Sequence, residues 1–138
     1  MDLKPGVLTG LLGYRLRLAQ QAAFRDFAAS IPELSPGRAG ILLLVEANPG
    51  VSQSRLAEAV SLDRSTIVGV LHALERAGLV ERRRGTDRRT NGLWLTRGGV
   101  ALLARVKRRI RRHEHRVAAR LTAAERAELL RLLEKLCA

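Results

Sequence analysis

A chain of 138 residues, 46% hydrophobic and 3% aromatic, suffices for one self-supporting core and leaves no room for a separate catalytic domain. Its single cysteine, Cys137, excludes a disulfide framework and cysteine-rich zinc sites, and its longest apolar run, residues 39–45, falls far short of the roughly 20 needed to cross a bilayer. The formal net charge of +12 makes a polyanion the leading class of partner.

Lys4 is followed by a short, glycine-broken apolar run without a clear cleavage site, so the simple expectation is a reducing, cytoplasmic setting. The periodicity predicts a long first helix over residues 7–29, with Leu8, Leu11, Leu12, Leu18, Ala19, Ala22 and Phe27 on a broad apolar side. Pro32 enforces a break. Ser35-Pro36 then supplies a cap and a first-turn proline for a second helix that buries Ile41, Leu42, Leu44 and Val45, and Asn48-Pro49-Gly50 ends it.

Two short helices follow. Residues 52–60 carry Leu56, Ala57 and Val60 inward, and residues 63–77 carry Ile67, Val70, Leu71 and Leu74 inward. Asp63 suits the N-cap of the second and Gly78 its left-handed C-terminal cap. The tight Ser61-Leu62 connection makes the pair a helix-turn-helix, with the second helix the candidate reader of a duplex.

Residues 79–84 and 90–95 read as strands around Gly85-Thr86-Asp87-Arg88. Asn91-Gly92 is a competing turn signal, but a turn there leaves only three residues before Thr96. Thr96 caps a long helix reaching about residue 120, with Val100, Leu103, Val106, Ile110, Val117 and Leu121 apolar. Thr122-Ala123-Ala124-Glu125 is a capping box, and it opens a last helix with Leu129, Leu130, Leu133 and Leu136 on one side.

Charge is distributed unevenly along this plan. Residues 1–75 hold seven basic and seven acidic side chains, and residues 121–138 hold three of each. Residues 76–120 hold fifteen basic against three acidic, so the whole excess lies in one segment. The candidate reading helix adds the chemistry of groove recognition. Arg64, Ser65, Thr66, Val68, Gly69 and His72 face outward near its start: arginine reads guanine, hydroxyls reach phosphates or bases, valine meets a thymine methyl, and the helix start offers free amides. The bland alternative for the same residues is a solvated amphipathic helix. In the hairpin, Arg82, Arg83, Arg84, Arg88 and Arg89 repel one another as a cluster, yet suit phosphates or the deep negative potential of a narrow minor groove. Asp87 within it reads as an orienting partner rather than an acid catalyst.

At these residues the chain resembles the MarR-type winged helix-turn-helix transcriptional regulators. The matching pieces are Leu56-Ala57-Glu58, Leu62-Asp63-Arg64-Ser65-Thr66, the run from Leu74 through Gly78 to Arg82, Asp87-Arg88-Arg89, Leu95-Thr96 and Gly99, over residues 34–136. The resemblance implies a mainly α (α+β) fold with a two-stranded wing and long terminal dimerisation helices. The DNA-binding core would be about residues 35–96, and the dimer body about residues 7–30 and 97–138. It also implies a homodimer on a pseudo-palindromic operator, a repressor in most members, with Arg89 inserted in the minor groove and Asp87 orienting it. A small molecule between dimer body and winged domain would control release. Two departures stand out: a wing about one residue short between Val80 and Asp87, and Gly92 where an apolar strand residue is usual, which predicts a weakened, bulged return strand.

For the effector, Tyr14, Arg17, Phe24, Phe27, Ile41 and Val45 are the candidate pocket residues, and an arginine among aromatics suits a small aromatic or anionic molecule. Plain core and surface is the competing reading of the same side chains. No cofactor motif is present, and His113 and His115, two apart on a helix, share no face for a metal. Cys137, beside Lys135, reads as a fraying surface thiol ahead of a redox switch. No nucleophile, base and orienter set supports an enzyme. Two other classes remain as alternatives: a non-specific architectural DNA-binding protein, told apart by affinity blind to sequence, and a winged-helix protein-interaction module for an acidic partner.

Overall fold

The computed structural model describes residues 2–84 and 91–138. Among them a short 3-10 turn, Gly6–Gly10, precedes α1 (Leu12–Ser30), α2 (Pro36–Ala47), β1 (Val51–Ser52), α3 (Gln53–Ala59), α4 (Arg64–Arg76), β2 (Val80–Arg84), β3 (Asn91–Leu95), α5 (Arg97–Val117) and α6 (Ala123–Cys137). The fold is mainly helical with one small antiparallel sheet, in the order β1-β3-β2. None of the described helices is long and apolar enough to cross a membrane. The elements form two compact units, residues 31–109 and residues 1–30 with 110–138, and α5 contributes to both.

The first of these units is built around buried Ile41, Leu42, Val45, Leu56, Ile67, Leu71, Leu74, Leu93, Leu103 and Val106. Its helices begin where side-chain oxygens replace missing backbone partners. Ser35, Ser52 and Asp63 accept from the amides of Arg38, Arg55 and Thr66. Both members of the helix-turn-helix end in the same left-handed cap. After α3, the Ser61 amide donates to Glu58 and the Leu62 amide to Ala57, with Ser61 at φ 53°. After α4, Gly78 donates to Glu75 and Leu79 to Leu74, with Gly78 at φ 73°.

Within the second unit, Asp26 of α1 anchors a polar network. It accepts from Nδ1 of His113 at 2.8 Å and from Nε and Nη2 of Arg116, both at 2.9 Å. His113 is buried and meets the Phe27 ring edge-on at 5.1 Å between centroids. The Arg116 guanidinium first, and then His113, hold the Asp26 carboxyl well below the usual carboxylate range. Phe27 is the only buried residue on α1, and α6 buries none, so Leu12, Leu16, Leu18, Phe24, Leu129, Leu130, Leu132 and Leu136 remain exposed in the single chain.

Leu44, expected in the core with Ile41, Leu42 and Val45, is only half-buried. The predicted elements are present, with four differences. The first helix starts at Leu12, because Leu11 is extended (φ −93°, ψ 126°) and separates it from the 3-10 turn; glycines at 6, 10 and 13 make continuous helix costly there. Strand β1 was not expected; two residues carry no periodicity, and pairing of Val51 with Leu93 defines it. Helix α5 ends at Val117, short of residue 120. The predicted bulge at Gly92 is absent: Arg83 pairs with Gly92 and Arg84 with Asn91 in unbroken register. A Cβ at Gly92 would lie 2.6 Å from the Gly50 carbonyl and 2.8 Å from the Trp94 ring, so close packing explains the glycine.

Candidate nucleic-acid interface

Helix α4 turns Ile67, Leu71 and Leu74 into the core and Val70 to a half-buried edge. The spacing of 3.6 residues per turn then sets Ser65, Gly69, His72 and Arg76 in one exposed row. Thr66 and Arg64 are exposed beside it, and Val68 is half-buried. Among the described residues no atom outside its own helix backbone lies within 4 Å of where a Cβ on Gly69 would stand, so neither their packing nor the backbone conformation there requires a glycine. Arg76 extends the row, although sequence reasoning passed it over; its place four residues after His72 was the available signal.

The helix start is already organised. Oδ1 of Asp63 accepts from the Thr66 amide at 2.7 Å and from Ser65 Oγ at 2.9 Å. These bonds, led by the one from the Thr66 amide, favour the ionised carboxylate and hold the Asp63 pKa below its usual value. Arg64, exposed, borders an open groove of mixed polarity with Ser52, Gln53, Ser54, Ile67, Arg82 and Asn91.

In the wing, strand alternation separates arginines that look equivalent in sequence. Val80, Arg82 and Arg84 share one face with Asn91, Leu93 and Leu95, while Glu81 and Arg83 share the other with Gly92 and Trp94. Arg82 donates from Nε to Glu75 Oε1 at 2.8 Å, with both side chains roughly 30% exposed. Arg83 donates from Nε to Glu81 at 2.7 Å and stands over the Trp94 ring at 5.3 Å from its centroid. Arg84 is exposed and, among the described residues, has no ion-pair partner. Asp87, Arg88 and Arg89 lie outside the described residues. Glu75 and Trp94 were missed as neighbours of the interface, since only the cap at Gly78 and the strand register bring them beside the arginines.

The first three turns of α5 belong to the same unit. Lys107 pairs with Glu46 and Arg109 with Glu33, while Arg97, Arg105 and Arg108 are exposed. The candidate effector residues fall in both units. Tyr14 has the guanidinium carbons of Arg15 and Arg17 at 6.0 and 5.8 Å from its ring centroid, Phe24 is exposed, and Phe27 is buried on His113. Ile41 and Val45 are buried in the core of residues 31–109. Cys137 is exposed.

Comparison with known proteins gives consistent results. The family model described as MarR family matches residues 34–90. A protein of Thauera aromatica named for transcriptional regulation of the hcr operon is 44% identical over 139 residues, covering 98% of this chain and 84% of its own. The transcriptional repressor CouR bound to a 23-mer DNA duplex superposes with a TM-score of 0.93 at 39% identity, covering 100% of both chains. CouR bound to p-coumaroyl-CoA superposes at 0.90 with 38% identity, covering 99% of this chain and 98% of its own.

Proposed function

The chain belongs to the MarR family of transcriptional regulators, and from that membership we propose how its own residues read DNA and answer a ligand. It is a homodimeric, sequence-specific double-stranded DNA-binding regulator and not an enzyme. Each protomer lays α4 in a major groove, with Ser65, Thr66, Gly69 and His72 toward the base edges and Arg64 at the helix start. Arg84 neutralises a backbone phosphate, and Arg88 and Arg89 enter the flanking minor groove with Asp87 orienting Arg89. For those last three residues the support is the family resemblance alone.

The observation that carries the reading is the exposed row of α4. Its second position is a glycine that nothing among the described residues requires. A duplex backbone or base edge approaching within van der Waals distance supplies the reason. Substitution of Arg64 by alanine tests the base-reading role: binding to a selected operator falls while binding to random duplex barely changes. Equal loss on both contradicts it.

The effector we infer is a small aromatic acid or its coenzyme A thioester. CouR, at 38% identity, is bound to p-coumaroyl-CoA, and Tyr14, Arg17 and Phe24 offer aromatic and cationic side chains in this chain. Titration of the protein–operator complex with p-coumaroyl-CoA and with free p-coumarate separates the two forms. Release by either supports the class and selects the form; release by neither contradicts it.

A further inference from the structure

We propose that Glu75 and Arg82 are positioning residues whose ion pair braces the wing against the last turn of α4, so that Arg82 makes no phosphate contact. The inference rests on the DNA-binding reading above, and it reassigns one arginine of the basic cluster. Between α4 and β2 stand only Ala77, Gly78 and Leu79. Their path is fixed at the backbone by the two cap bonds, from Gly78 to Glu75 and from Leu79 to Leu74. Leu79 is held from the other side as well, since its carbonyl accepts from the Thr96 amide at 3.1 Å and lies against Gly99.

Beyond this knot the strand must hold its direction for the wing to meet the groove beside α4. The Glu75–Arg82 bridge is the side-chain tie at that point, from the last turn of the helix to the third residue of the strand. Its partners are partly withdrawn from solvent, which weakens screening relative to a surface pair. Arg84, two residues on and on the same face, lacks a described partner. The two arginines therefore differ in what they have left to give: Arg84 a guanidinium without a partner among the described residues, Arg82 one already engaged by a carboxylate that would repel phosphate.

The two roles for Arg82 predict opposite signs for one substitution. If Arg82 were a phosphate contact held back by Glu75, removing the carboxylate charge would free it and tighten binding. If the pair is a brace, the same change loosens the wing and weakens binding. The test uses the full chain and a duplex selected by the wild-type protein from a random pool, titrated across salt. E75Q and R82Q each weaken binding by roughly three- to tenfold, leave the slope of log affinity on log salt unchanged, and reduce hydroxyl-radical protection at the operator flanks more than at its centre. The double variant loses no more than either single one, and the swap of E75R with R82E restores flank protection. Tighter binding by E75Q, a slope shallower by about one unit for R82Q, or no effect of either overturns the proposal. Failure of the wild type to select any duplex would instead refute DNA reading itself.

Discussion

Two glycines act on this protein in opposite ways. Gly69 lowers the helical stability of α4 by roughly 1 kcal/mol relative to alanine, and among the described residues no atom outside its own helix backbone lies within 4 Å of the place a methyl would take. Gly69→Ala therefore raises stability by about 0.5–1 kcal/mol in denaturant melts while weakening operator binding. At Gly99, also helical, a Cβ would sit 2.1 Å from the Leu79 carbonyl oxygen, a backbone atom that cannot swing aside. Gly99→Ala destabilises the fold by about 1–3 kcal/mol, reversing the usual helical preference. Asp26 supplies a third residue-scale expectation. Its carboxyl is more acidic folded than unfolded, so its contribution is complete above the ordinary carboxylate range and is lost as pH falls through that range and below. Asp26→Asn lowers the melting temperature most at neutral pH, and the gap to wild type closes progressively in acid.

Among the elements, the wing shows how one charge cluster divides its labour. Arg84→Ala weakens binding to every duplex and makes the salt slope shallower by about one unit, whereas the Glu75–Arg82 pair leaves that slope unchanged. Much of this level was legible in the sequence because the determinants are local. Ser35, Asp63 and Thr122 announce helix starts by capping chemistry, and the stripe of Ile67, Leu71 and Leu74 gives the buried side of α4 directly. What stayed hidden depends on partners distant in the chain. Gly92 reads as a weak point in isolation, yet it is the place where the Gly50 carbonyl and the Trp94 ring close on the strand. Arg82 reads like Arg84 until the cap at Gly78 turns the chain and brings Glu75 alongside. His113 reads as a poor metal ligand, and only packing of α5 beside α1 shows it buried on Phe27 and bonded to Asp26.

Taken as a whole, the chain carries its unmet needs in two places. The winged unit has a full core and presents a basic, polar surface. Residues 1–30 and 110–138 bury little besides Phe27 and His113, and leave leucines of α1 and α6 exposed, as expected for helices completed by a second protomer. Leu130→Glu on α6 consequently shifts the protein toward monomer in sedimentation experiments and lowers operator affinity with it, because one half-site then binds without the other.

The central claim is that this basic dimer reads sequence rather than coating DNA. The direct measurement is affinity for a selected operator and for a scrambled duplex of equal length, titrated across salt. A preference of about 10³-fold or more at physiological salt, with half-sites spaced for a dimer, is the predicted result. Equal affinity for both duplexes, falling steeply as salt rises, contradicts it and leaves a sequence-blind DNA coater.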